Sequence, residues 1–365
     1  PAMRLAIPVN QVRVTEINEK PVSGTDTLKA LSTVTISGEI TDKNGQLLSD
    51  FNGQVFPTVY DIDVTRKTLG NDPKSIPATF KSQESILYKG EVSIVNGKFT
   101  FTFVVPKDIS YKNDLGKLSF YAKDGSRDAR GYYDSIVIGS ESNSTVADDK
   151  GPEIRLFIND TNFIPGGISN ENPMLLAILK DDIGINTSGI GIGHDITATL
   201  NGTGSVVLNS YYKSTLNNYQ EGIVAYSFMD LAEGDYTLTL EAWDVSNNRG
   251  EASINFTVVS RDNLTITKLV NYPNPFIDRT TFRFEHNRPD EQLDVVIEIF
   301  DLAGRRVKTL TGTTLQGSSS SEEIVWDGSG GDFNSVPQGM YIYNVTLTGK
   351  DGKQVTQSEK LIYVR

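Results

Sequence analysis

The sequence predicts an all-β chain built from three sandwiches in tandem, and three observations carry that expectation. Short runs of Val, Ile, Phe and Tyr alternate with polar residues at a period of two. Glycine is abundant, at 32 of 365 residues, and Ser, Thr, Asn and Asp fill the intervals between the runs. No stretch of about 12 residues sustains the 3.6-residue apolar period of an amphipathic helix. The length suggests two to four domains, and 38% hydrophobic residues are enough to give each a core.

The first unit, 1–145, reads as an enlarged β-sandwich. In "GKFTFTFVVP" the residues Phe99, Phe101 and Phe103 fall on one face and Thr100 and Thr102 on the other, which is a half-buried strand. "VTISGEITDKNGQLLSDFNGQVFPTVYD" reads as a strand, a turn at Lys43-Asn44-Gly45 and a second strand around Val55–Asp61. "GKLSFYAKD" and "YDSIVIGS" close the unit, and "RKTLGNDPKSIPATF" is a long excursion from it.

"GSESNSTVADDKGPEI" is polar and ends in Gly-Pro, so a linker is expected at about 140–152. The second unit, 150–260, offers six or seven short strands in about 110 residues, the pattern of an immunoglobulin-like sandwich. The third unit, 261–365, is of the same kind. There Val295, Ile297 and Ile299 share one face, and Tyr341, Tyr343, Val345 and Leu347 another. "DLAGR" reads as a tight turn with Gly304 at a positive φ. In "LVNYPNPF", Pro273 and Pro275 lack backbone N–H groups and fix φ, so this segment is expected to be a stiff entry to the third unit, outside any ladder.

Composition excludes several chemistries. With no cysteine there is no disulfide, no thiolate zinc site and no cysteine nucleophile. A net charge of −12 argues against nucleic-acid or anionic-membrane partners, and the acidity is concentrated in the second unit, with 13 acidic against 5 basic side chains. No run of about 18 apolar residues spans a membrane. "PAMRLAIPVN" has no basic-then-apolar leader, so an export signal is expected to be removed or to lie upstream.

His194 and His286 are the only histidines. Asp195 adjoins His194, but neighbours on a strand point to opposite faces and make no dyad, so a turn or core-edge residue is expected. His286 reads as a loop residue. The isolated chain is therefore expected to hydrolyse no peptide. Oxygen donors cluster in "DDKG", "NDTN", "DDIGIN" and "WDVSNN", which makes Asp181, Asp182 and Asp244 candidate ligands of a structural calcium ion. None of these segments has the EF-hand spacing, and Asp and Asn are also ordinary turn residues. The Gly-rich runs, "SGIGIG" among them, do not follow a strand and open a helix, so no phosphate cradle is expected. Tyr211, Tyr212 and Tyr219 are candidates to line a carbohydrate or protein surface.

An ordered set of segments in the third unit resembles the C-terminal sorting domains of the type IX secretion system of Bacteroidetes. They are "NYPNPF" at 271–276, "IEIFDLAGRRVKTL" at 297–310, "WDG" at 326–328, "PQGMYIYNV" at 337–345 and the closing "KLIYVR". Upstream, "FIPGGISNENP" at 163–173 and "DDIGINTSGIGIGHDITATLNGT" at 181–203 resemble the region that follows the peptidase domain in PorU-like sortases, which are related to gingipains. "PAMRLAIP" at 1–8 resembles the seam where that peptidase domain ends. The resemblance implies a non-catalytic, cell-surface region of a cysteine-peptidase sortase, whose parent cleaves sorting domains from cargo and attaches the cargo to lipopolysaccharide. It implies docking to the outer-membrane β-barrel PorV and other attachment-complex proteins. Tyr272, Pro273, Asn274, Pro275, Gly304, Gly339, Tyr341, Lys360, Leu361 and Tyr363 are the candidate docking residues. A carbohydrate-binding or adhesive array attached to another exported enzyme is the alternative.

Overall fold

The computed structural model describes residues 8–24, 26–72, 74–141, 148–189, 193–330 and 336–364. The seam expected at 1–7, the centre of the expected linker at 142–147 and part of the Gly-rich run at 190–192 lie outside them. The described residues are almost entirely strand and turn, with one 3-10 turn at Asn209–Tyr211. Three large hydrophobic clusters organise them.

The first cluster is wrapped by a single ten-stranded sheet. Its main path runs Lys98–Val104, Thr33–Thr41, Asn10–Ile17, Asp128–Glu141, Asp114–Lys123, Gly53–Tyr60 and Ile86–Lys89. The alternation read from sequence is what buries it: Phe99, Phe101 and Phe103 are at most 5% exposed, and their rings stack in a row with Tyr88. The long excursion is a separate two-stranded ribbon, Val64–Lys67 paired with Thr79–Ser82.

The second cluster lies between two sheets. One is ordered Glu153–Ile158, Met174–Lys180, Asn218–Ser227, Tyr212–Thr215. The other is ordered Gly167–Ser169, Arg249–Val258, Gly234–Trp243, Thr197–Leu200, Thr203–Val207. The third cluster likewise sits between a three-stranded sheet, Ile266–Tyr272, Thr280–His286 and Ile324–Trp326, and a four-stranded one. The latter is ordered Arg306–Thr313, Asp294–Phe300, Gly339–Thr348, Gln354–Tyr363.

These two sandwiches share a local device. Tyr236 donates its hydroxyl to the carbonyl of Ala232 at 3.0 Å, and Tyr341 to that of Pro337 at 2.5 Å, each four residues back. In both cases a glycine two residues before the tyrosine, Gly234 or Gly339, takes a φ of +146° or +155° that disfavours a Cβ. Such a tyrosine corner is a mark of immunoglobulin-like sandwiches.

The joints between sandwiches are polar and specific. At the first, Asp108 accepts hydrogen bonds from His194 Nδ1 at 2.6 Å, Asn247 Nδ2 at 2.8 Å and Asn186 Nδ2 at 3.1 Å. Val104, Ile183 and Val245 form a small apolar cluster beneath it. At the second, Asn287 Nδ2 reaches the carbonyls of Ser260, Asn263 and Val259 at 2.9, 3.0 and 3.4 Å, while its Oδ1 accepts from the Thr265 N–H at 3.0 Å.

Two expectations are corrected here. The Pro-x-Pro segment is not the entry to the third unit, because Ile266–Tyr272 before it pairs with Thr280–His286 after it in the same sheet. The actual entry is the connection held by Asn287. His286 is no loop residue: it ends a strand, is fully buried, and accepts the Arg288 N–H at Nδ1. Local polarity in "FEHNRPDEQ" had signalled a loop, but His286, Asn287 and Arg288 are all at most 1% exposed.

Candidate docking face and acidic cluster

Between its first two strands the third sandwich sends out the loop that carries the two prolines, and this loop clips the terminal strand. Both prolines follow cis peptide bonds. Asn274 Nδ2 donates to the Lys360 carbonyl at 3.1 Å and its Oδ1 accepts from the Ile362 N–H at 2.9 Å, so one amide side chain stands in for a neighbouring strand. Phe276 continues the pairing, donating its N–H to the Ile362 carbonyl and accepting from the Val364 N–H. Its ring is 1% exposed and lies 5.0 Å from Tyr363 and 5.5 Å from Trp326. The loop thus closes part of an edge that would otherwise offer unpaired backbone groups.

Beside the clip, the outer face of the four-stranded sheet gathers most of its apolar side chains at one end. Phe300, Ile342 and Lys360 form one cross-strand row, and Met340 with Ile362 the next. Met340 is 44% and Ile342 42% exposed, and Leu302 in the adjoining turn is 69% exposed. Further along the same strands the next row is polar, with Glu298, Asn344 and Ser358, and the one beyond sets half-buried Val296 beside Thr346 and Thr356. Tyr272 and Ile277, 70% and 60% exposed, extend apolar surface into the clip loop. Lys360, Arg305 and Arg306 are exposed cationic neighbours of this end.

The ten candidate docking residues divide accordingly. Tyr272, Pro273, Asn274, Pro275 and Lys360 are exposed on the clip and the adjoining edge. Gly304 and Gly339 are exposed too, but their positive φ values of +79° and +155° identify them as turn and corner residues. Tyr341, Leu361 and Tyr363 are corrected from contact to core, at 4, 0 and 6% exposure, because their strand parity points them inward. Met340, Ile342 and Phe300, which share the outward parity, were not among the candidates. The signal was present, since residues alternating with a buried face are themselves apolar.

A second constellation lies in the acidic middle sandwich. Asp148, Asp181 and Asp244 bring carboxylate oxygens within 4.8 Å of one another. Asp181 follows Met174–Lys180 in one sheet, Asp244 follows Gly234–Trp243 in the other, and Asp148 belongs to the chain entering the sandwich. Asp181 Oδ1 accepts from the N–H groups of Ile183 and Gly184, and Asp244 is held by the N–H and the side-chain amide of Asn248. Burial pushes Asp181 up to about 7 and Asp244 up to about 6, with the neighbouring carboxylates adding to the shift. Asp182 is exposed and outside the group, so of the three candidate calcium ligands two are brought together, and Asp148 takes the third place.

His194 has an acid partner, Asp108, but one 86 residues away on the first sandwich, not Asp195. No cysteine, serine or other nucleophile is hydrogen-bonded to its ring among the described residues. Of the three tyrosines considered for a binding surface, Tyr212 is buried at 4% exposure, while Tyr219 packs against the apolar joint and Tyr211 alone is well exposed, at 48%.

Residues 270–363 match the family of secretion system C-terminal sorting domains, so the third unit carries a type IX sorting tail. The whole chain is, further, similar to PorU. A crystal structure of dimeric latent PorU from Porphyromonas gingivalis matches 99% of it at 32% sequence identity and a TM-score of 0.44. The chain spans 34% of that protein's length. Fibronectin(III)-like modules of CbhA from Clostridium thermocellum match 58% of this chain and 94% of their own at 11% identity and a TM-score of 0.23. A glucan-locus protein of Bacteroides ovatus, SGBP-B, matches 93% of this chain and 65% of its own at 12% identity and a TM-score of 0.28. No curated protein matches the chain.

Proposed function

We propose that this chain is the non-catalytic C-terminal region of a cell-surface type IX sortase, and that its third sandwich docks the parent protein to an outer-membrane β-barrel of the PorV type. The parent would carry a gingipain-like cysteine peptidase domain, cleave sorting domains from cargo and anchor the cargo to lipopolysaccharide. Both the likeness to PorU over 99% of this chain and the absence of any cysteine within it support that division of labour.

The observation that carries the docking reading is the apolar end of the four-stranded sheet. Phe300, Met340, Ile342 and Ile362 lie together on an outward face of a sorting domain, next to the clip that fixes its last strand. Exposed apolar surface gathered at one end of a sheet is the composition of a contact surface. The first two sandwiches act as a spacer that carries this domain at a set distance from the peptidase.

The test is binding of the full 365-residue chain to purified PorV in detergent. The double substitution Met340→Glu with Ile342→Glu places two charges in the centre of the face without touching the core. Affinity is expected to fall at least about tenfold, a loss of roughly 1.4 kcal/mol, with the thermal unfolding curve unchanged. Equal affinity of the folded variant and the parent chain would remove this face from the reading.

A further inference from the structure

The three carboxylates of the second sandwich have an arrangement that their own hydrogen bonds leave incomplete. Asp181 is only 7% exposed, with both of its backbone donors, Ile183 and Gly184, on Oδ1. In Asp148, Oδ1 accepts from the Lys150 N–H at 3.1 Å, while Oδ2 is closed off from solvent and has no partner. Asp244, 0% exposed, supplies the third carboxylate. None of the three forms an ion pair with a lysine or arginine among the described residues, although Lys150 and Lys180 line the groove beside them. Buried carboxylates of one sign so close together are unfavourable unless a proton or a cation joins them.

We propose that Asp148, Asp181 and Asp244 hold one calcium ion, which ties the chain entering the second sandwich to a strand end in each of its two sheets. All the side-chain donors are oxygens, and no imidazole or thiolate is present in the group, which selects a hard cation over zinc or copper. The groove lined by Lys150, Glu153, Asp181 and Asp182 opens the cluster to solvent and gives the ion a path in. Carbonyl oxygens and water complete the six to eight ligands that calcium takes.

The place of the site gives the ion a role. Ile183 and Val245, which pack on Val104 of the first sandwich, each lie within two residues of a ligand, and Ile185 bridges to Asp244. Filling the site therefore firms the surface on which the first sandwich rests.

The full chain, stripped with a chelator and returned to metal-free buffer, is titrated calorimetrically with CaCl2, and with MgCl2 in parallel. Saturable heat for one calcium ion per chain at or below ~1 mM is expected, the affinity range of extracellular calcium modules, together with a rise in melting temperature. Terbium, a calcium substitute, is expected to luminesce on excitation of Trp243, which adjoins Asp244. Asp148→Asn lies on the entering chain outside both sheets, and it is expected to fold and to weaken calcium binding at least tenfold. Absence of calcium heat and of a melting shift in the parent chain overturns the proposal whatever the variants do. So does an undiminished affinity in folded Asp148→Asn, which puts the ion elsewhere. A gain in stability on lowering the pH to 6 with no metal response also overturns it, in favour of a proton shared within the cluster.

Discussion

Acid should weaken the third sandwich through His286. Its ring is buried at the end of a central strand, Nδ1 accepts the Arg288 N–H, and Nε2 has no partner. Burial, which disfavours the charged imidazolium, brings its pKa down from 6.5 to about 4, and the Arg288 charge acts in the same direction. Between those two values the unfolded chain binds a proton that the folded chain does not, so stability falls as the pH drops through that window. The loss is about 2 kcal/mol at pH 5 relative to pH 7.5 and about 3 kcal/mol at pH 4. Urea unfolding in a Trp243→Phe background leaves Trp326, buried in the same core, as the fluorescent reporter. Other carboxylates titrate over this range, so the comparison is with His286→Gln, which carries no titrating group. The parent should lose about 2 kcal/mol more than the variant between pH 7.5 and 5. The same pH slope in both proteins would refute the reasoning.

Two further outcomes follow from the same sandwich. Phe276→Ala removes the ring that packs on Trp326 and Tyr363, and should cost about 3–5 kcal/mol by chemical denaturation; a loss under 1 kcal/mol would mean the clip loop is not part of the core. Arg288, 1% exposed, forks onto Asp351 at 3.0 and 3.1 Å and donates Nε–H to the Arg261 carbonyl at 2.9 Å. Arg288→Ala leaves the Arg261 carbonyl without its donor, while Glu291 keeps Arg261 Nη2 at 2.9 Å, and should lower stability by about 1–3 kcal/mol, read as an earlier urea midpoint with an unchanged slope.

Strand faces were legible in the sequence because a period of two is a local property. The inward sets Phe99 to Phe103, Val295 to Ile299 and Tyr341 to Leu347 fall where alternation puts them. What was hidden depends on partners distant in the chain. Asp108 and His194, 86 residues apart, carry no mutual signal, and neither does Asp148 in relation to Asp181 and Asp244. The segment around the prolines was expected outside any ladder, but Val270, Asn271 and Tyr272 pair with Arg283, Phe282 and Thr281, Phe276 bridges to Tyr363, and the Asn274 side chain reaches the terminal strand, which no backbone rule reveals. Tyr212 and His286 misled for a related reason. A polar or amphipathic residue at a strand end is buried or exposed according to what the next sandwich covers.

The amide of Asn287 bears on how this sorting domain can be moved to other proteins. The match to the family begins at residue 270, in the middle of the strand Ile266–Tyr272, while the core already includes Leu264 and Ile266. The carbonyls that Asn287 holds lie earlier still, at Val259, Ser260 and Asn263. A passenger fused at 270 would receive half a strand and a buried side-chain amide stripped of its acceptors. A fragment that keeps this core whole therefore starts at Val259, eleven residues before the family match, the last four of them already in the strand.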